Sequence, residues 1–141
     1  MVVKYRRLKN ANGELFRLPL LSVRLACNKK HQNFFALIDS GAEICMFNQS
    51  VAEELDIDVP SGKPIGIVGI ADSQTFTGYV HQIHLTVNEL GGNGISLLAA
   101  FTQNEFPVLG VLGQRGFFDN HLVKFERYRG EIEIFHRSSR A

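Results

Sequence analysis

The pattern of apolar residues predicts an all-β protein built from many short strands, and three observations carry that reading. Apolar and polar residues alternate with a period of two. Leu21, Val23 and Leu25 stand against Ser22 and Arg24, and Tyr79, His81, Ile83, Leu85 and Val87 against Val80, Gln82, His84 and Thr86. Turn-forming clusters rich in Gly, Asn, Asp and Pro recur between these runs. Helical spacing is confined to two short stretches, near Val51 and near Phe117.

Taken in order, Asn12-Gly13 is a tight-turn signal that separates an N-terminal strand from a strand over residues 18–25. Pro19 is tolerated there because it falls at the start of the strand. Residues 28–33 are polar and read as a loop, followed by the apolar strand Phe34-Phe35-Ala36-Leu37-Ile38. Ser50-Val51-Ala52-Glu53 fits a capping box with Ser50 as N-cap, and Val51 and Leu55 then share one face of a short helix. The Pro60–Pro64 segment ends it. Residues 65–70 and 75–87 read as a long antiparallel hairpin around Ala71-Asp72-Ser73-Gln74. A Gly-rich connection over 88–94 leads to strands at 95–101 and 106–112, the latter interrupted by Gly110. Residues 113–120 are expected to hold a short helix that buries Phe117 or Phe118. The chain then closes with a hairpin, 122–125 against 131–135, around Arg127-Tyr128-Arg129-Gly130. An apolar strand ending at Gly and followed by a short helical stretch occurs twice, at Gly41 and at Gly113.

The length of 141 residues suits one domain, taken as 1–141 with flexible ends over about 1–10 and 137–141. A net charge of +1 gives no global field to attract nucleic acid or an anionic membrane, so neither is expected as a partner. The basic clusters Lys4-Tyr5-Arg6-Arg7 and Arg137–Arg140 read as solvated chain ends. Cys27 and Cys45 are too few for a disulfide framework and read as thiols in a reducing compartment. The first residues lack the apolar core of a signal peptide, and no apolar run approaches the ~20 residues that span a membrane. A cytoplasmic protein is the expectation. No cofactor or metal is expected either. His81 and His84 fall on opposite faces of a strand, there is no phosphate-binding Gly-rich loop, and Ser40 lacks the Gly-x-Ser-x-Gly setting of a serine hydrolase.

The most informative segment is the run from Phe34 to Ala42, in which an apolar strand delivers Asp39 to Ser40-Gly41 and the small Ala42. A carboxylate at the end of a buried strand is costly unless hydrogen bonds hold it or a partner shares its charge. Ser40 offers a hydroxyl, and Gly41 lets the backbone turn tightly. Downstream, Val111-Leu112-Gly113-Gln114-Arg115 repeats an apolar-apolar-Gly pattern, and a Gly-punctuated hairpin lies between the two. In this order the three features, covering roughly residues 15–134, resemble the retropepsins, the retroviral-type aspartic peptidases, and their single-domain cellular and bacterial relatives.

That resemblance implies a closed, bent β-barrel with a flap hairpin and one or two short helices, acting as a homodimeric aspartic endopeptidase on extended peptide. Peptide hydrolysis of this kind needs one carboxylate to take a proton from water while another protonates the scissile carbonyl, so two carboxyls share a proton, as in the well-known aspartic-protease dyads. The chain has five Asp, at 39, 56, 58, 72 and 119, and only Asp39 follows an apolar strand into Gly. Its partner must then be Asp39 of a second chain, across a two-fold axis. By the same resemblance the Ser40 hydroxyl, where Thr is commoner, clamps the two turns across that axis. Arg115 pairs with Glu43, where Asp is more usual, and supports the loop as a bidentate bridge. Leu37, Ala42, Leu109 and Val111 line the groove, and the hairpin tip with Gly69, Ile70 and Ala71 lies over the substrate. The polar Asp72 and Ser73 depart from the Gly-rich retroviral tip. They leave a second reading open: a dimer of the same fold that holds peptide without cutting it.

Overall fold

The computed structural model describes residues 1–68 and 75–137. Within them the chain runs β1 (Val2–Lys4), β2 (Arg6–Lys9), β3 (Leu15–Leu18), β4 (Leu20–Cys27), β5 (Lys30–Ile38), β6 (Met46–Phe47), α1 (Gln49–Glu54), β7 (Lys63–Val68), β8 (Thr75–Val87), β9 (Ile95–Phe101), β10 (Gly110–Leu112), β11 (His121–Glu126) and β12 (Glu131–His136). Short 3-10 turns cover Val59–Ser61 and Arg127–Arg129.

The main sheet has the order β4-β5-β10-β6-β9-β8-β7, and β4 also pairs with β8. That extra pairing closes six strands into a barrel, and among the described residues β7 pairs only with β8, antiparallel to it. Closure removes free sheet edges that would otherwise invite pairing with other chains. Most barrel contacts are antiparallel, but β10 runs parallel to β5 and β6 parallel to β9. Those two parallel pairs gather the ends of β5, β6 and β10 in one place.

The alternation read from the sequence accounts for the core. Leu21, Val23 and Leu25 of β4 and Ile83, Leu85 and Val87 of β8 all point inward and are buried. Phe47 lies at the centre, fully buried, with its ring 5.8 Å from Phe34 and 5.6 Å from Phe101. The helix lays Val51, Ala52 and Leu55 against this core. A second small sheet, β1-β12-β11, adds Ile132 and Ile134, and β2 pairs with β3 as a separate hairpin.

Several boundaries differ from the sequence reading. The first ten residues are not a loose end: β1 pairs with β12 and β2 with β3. The polar residues from Lys30 to Asn33 belong to β5, where they continue the ladder with β4 beyond the apolar run. The helix is capped by Asn48, whose side chain accepts from the Val51 N–H, and not by Ser50, whose hydroxyl instead donates to Asn48 Oδ1. Residues 106–109 are not strand; only Gly110–Leu112 pairs. No helix forms over 113–120. Gly116 takes φ +93°, outside the helical region, and the Phe118 and Asp119 N–H groups reach back five residues to Gly113 and Gln114. Phe117 is nevertheless fully buried, as expected. The expected hairpin tip, including Gly69, Ile70 and Ala71, lies outside the described residues. Among the described residues no helix is long and apolar enough to cross a membrane.

His121 and His136 face each other across the β11–β12 ladder, with rings 5.0 Å apart. His121 is buried, stacks on Phe117 at 4.5 Å, and donates Nδ1–H to the Phe117 carbonyl at 2.8 Å. Burial lowers its pKa below the ordinary 6.5, the Phe117 carbonyl opposes that, and the nearby His136 adds to the lowering. The unfolded chain therefore binds the proton first as pH falls, so stability present above about 6.5 is lost below it. Urea midpoints should fall between pH 7.5 and 5.5, and His121→Asn, which keeps a donor for the carbonyl, should flatten that slope. Phe47→Ala should cost about 3–5 kcal/mol of unfolding free energy in the same assay.

Candidate active site

Parallel pairing sets Val111 beside Leu37 and Leu112 beside Ile38. The ladder ends where the Asp39 N–H donates to the Leu112 carbonyl at 3.0 Å. Asp39 is half-buried. Its Oδ1 accepts the Gly41 N–H at 2.9 Å, and its carbonyl accepts the Ala42 N–H at 3.2 Å. The turn is thus an Asx-type turn that fixes the carboxylate by its own backbone.

The following loop is stitched to the 113–115 segment mainly by backbone. The Gln114 N–H donates to the Ala42 carbonyl at 2.8 Å and the Arg115 N–H to the Glu43 carbonyl at 2.9 Å. The Gln114 side chain donates Nε2–H to the Ser40 carbonyl at 2.6 Å. Gly113 lies between the two segments: a Cβ there would stand 2.6 Å from the Ala42 carbonyl oxygen and 2.7 Å from that of Ile44. No side chain fits so close an approach. The Gly113 N–H points at Cys45 Sγ, 3.3 Å away.

Glu43 and Arg115 do meet, but through one contact, Nε to Oε1 at 3.3 Å, between side chains that are 74% and 63% exposed. The geometry is not the bidentate bridge expected. A single exposed ion pair contributes little, so the backbone bonds hold the loop.

Asp39 opens onto a cleft of about 670 Å³. Gly41 and Ala42 form its floor beside the carboxylate, and Glu43 and Arg115 one end. Ile65, Ile67 and Val68 of β7, with Phe76 of β8, form the opposite side, and Ile44 and Met46 complete it. Among the described residues expected in the groove, Ala42 alone lines this cleft. Val111 is buried behind it in the β5–β10 ladder, Leu37 is half-buried beside Val111, and Leu109 is exposed elsewhere. An inward-facing strand residue packs under the floor, so position near the motif did not imply a place on its surface. Gly69, Ile70 and Ala71 lie outside the described residues. Ser40 is exposed beside Asp39.

Sequence reasoning missed Gln114, Ile65 and Ile67. The two isoleucines had a signal: they alternate with the exposed Gly66 and Val68, which marks a half-buried strand face. Gln114 had none, because its bond to Ser40 spans 74 residues. A smaller hollow of about 340 Å³ lies under the Gly-rich turn beside His121 and His136, away from Asp39. The Asp39 cleft is twice its size and holds the carboxylate the sequence singled out, which makes it the candidate site. Among the described residues no group of three or more His, Cys, Asp or Glu is arranged to hold a metal ion.

No protein-family profile and no curated protein matches this sequence. Among solved structures the fold is similar to that of a retropepsin-like aspartic protease from Rickettsia conorii, with a TM-score of 0.61 over 96% of this chain and 98% of that one. Sequence identity between the two is 11%. The likeness establishes a retropepsin-like fold for this chain.

Cys45 is fully buried, and burial raises its pKa, against the lowering effect of the Gly113 N–H. Iodoacetamide at pH 8 should therefore alkylate the partly exposed Cys27 well before Cys45, as read by peptide mass spectrometry. Gly113→Ala should lower stability by about 2 kcal/mol or more, through displacement of the Ala42–Ile44 backbone, and should make Cys45 alkylate faster.

Proposed function

We propose that this chain is a homodimeric aspartic endopeptidase in which the Asp39 carboxylates of two copies share one proton and activate one water. The observation that carries the reading is the isolation of Asp39 in its cleft. Among the described residues the other carboxylate lining the cleft, Glu43, is paired with Arg115. Asp56 pairs with Lys30, and Asp119 accepts from the Gly116 N–H. A second copy of Asp39 then supplies the other carboxylate of a two-carboxylate mechanism.

In the proposed dimer the ionised carboxylate takes a proton from the water as its oxygen attacks the scissile carbonyl carbon. The protonated carboxyl gives its proton to the carbonyl oxygen. As the gem-diol collapses, the carboxyl that took the water proton gives it to the leaving nitrogen and the C–N bond breaks. The other carboxylate takes a proton from a gem-diol hydroxyl as the C=O re-forms, so the pair again holds one proton. The Gly41 N–H on Oδ1 orients the carboxylate throughout. Ser40 supplies the hydroxyl that bonds across the axis, and Gln114 holds the Ser40 carbonyl in support.

The β7–β8 hairpin serves as a flap, and Gly69, Ile70 and Ala71 are the residues assigned to substrate contact there. An extended peptide lies between it and the floor, adding its backbone to the hairpin as a strand. Ala42, Ile65 and Ile67 favour small or branched apolar side chains beside the cut bond.

Asp39→Asn should leave dimerisation intact by sedimentation velocity and reduce cleavage of a diverse peptide pool by about 10³-fold or more. Unchanged cleavage by that variant overturns the assignment. Cleavage by the native dimer should be greatest at mildly acid pH; a profile flat into the alkaline range rejects a shared proton. A verified dimer that binds peptide saturably without cutting it marks the protein as a peptide-holding module.

A further inference from the structure

We propose that Arg7, Arg17 and Arg127 form a binding site for a phosphate-class oxyanion, separate from the Asp39 cleft. The basic residues near the N-terminus do not share one fate. Lys4 pairs with Glu131 at 2.9 Å, and the Arg6 guanidinium stacks 3.9 Å over the Phe35 ring. Arg7 has neither partner. It stands directly opposite Arg17 in the β2–β3 ladder, and like charges facing each other across a ladder destabilise it.

The Tyr5 N–H donates to the Gly130 carbonyl at 2.8 Å, and that bond seats the β2–β3 hairpin against the 127–130 turn. Arg127 is thereby brought to the same hollow as Arg7 and Arg17, about 260 Å³ in volume, whose remaining lining is Leu15 and Phe16. No carboxylate lines it, and none of the three guanidiniums has an acidic partner within 4.0 Å among the described residues. Arg17 is also held in place. Its Nη2 points at the Arg127 carbonyl at 3.4 Å, and its Nη1 lies against Gly130, where even a Cβ would come within 2.7 Å.

Three planar forks with no anion of their own suit a ligand with three or more acceptor oxygens and more than one negative charge. A phosphate meets both conditions. A lone carboxylate, with two oxygens and one charge, leaves one fork unused. A phosphate would also turn the Arg7–Arg17 repulsion into a shared attraction, and so tie β2–β3 to the 127–130 turn. The phosphate arrives either as the free ion or on a phosphorylated side chain.

The test is a titration of full-length protein followed through the arginine Nε–H resonances, with inorganic phosphate, with a phosphoserine peptide, and with its unphosphorylated form. At ionic strength matched with chloride, phosphate should shift Arg7, Arg17 and Arg127 saturably. Arg17→Gln and Arg7→Gln should each weaken binding about tenfold or more, with unchanged amide spectra elsewhere, whereas Arg24→Gln on the exposed face of β4 should not. A phosphopeptide that binds about tenfold tighter than phosphate, with no binding of the unphosphorylated form, identifies a phosphorylated side chain as the ligand; equal binding identifies the free ion. Equal response to chloride, or binding unaltered in Arg7→Gln and Arg17→Gln, overturns the site. Asp39→Asn should bind phosphate like the native protein, so the outcome is independent of the peptidase reading.

Discussion

The parallel pairing of β5 with β10 is the constraint on which the site depends. Each of these strands ends beside the other, and the Asp39 N–H closes the ladder on the Leu112 carbonyl. The next residue on β10's side is Gly113, at a separation from the Ala42–Ile44 backbone that excludes any side chain. A carboxylate, a tight turn and a returning backbone therefore occupy one small volume. Backbone hydrogen bonds hold them there more firmly than the exposed Glu43–Arg115 pair.

Closure of the barrel decides what the cleft can be. Because β4 pairs with both β5 and β8, the six-stranded barrel is closed, and among the described residues β7 pairs with β8 alone. The face of β7 that carries Ile65 and Ile67 looks onto Asp39 and Ala42. Apolar side chains of β7 and the Asp39 carboxylate thus line one cleft. The basic hollow at Arg7, Arg17 and Arg127 belongs to other elements: the β2–β3 hairpin and the turn between β11 and β12.

Much of the fold was legible because a strand's two faces write themselves as alternation. β4, β8, β9 and the β11–β12 hairpin stand where the periodicity put them, within a few residues. The misses share a cause. Asn48 displaced Ser50 as cap because its own side chain reaches the Val51 N–H. Residues 113–120 resemble a short helix in spacing, but Gly116 and the bonds of Asp119 and Asn120 make a series of irregular turns. Lys30–Asn33 read as loop because exposed strand residues are polar like loop residues. In each case several local solutions competed, and side-chain or ladder hydrogen bonds that the residue pattern does not spell out selected one.

The chain's sequence alone determined the all-β character, the inward faces of the long strands, and the singular setting of Asp39 before Ser40-Gly41. Those follow from short-range chemistry: side-chain alternation, turn residues, and the cost of a carboxylate at the end of an apolar strand. Only the tertiary structure decided that Gln114 holds the Ser40 carbonyl, that Val111 packs beneath the cleft rather than on it, that Ile65 and Ile67 roof it, and that Arg127 meets Arg7 and Arg17. Each of those joins segments separated by dozens of residues, and such separations carry no periodic signal; they are fixed by how the barrel closes and which strands it sets side by side.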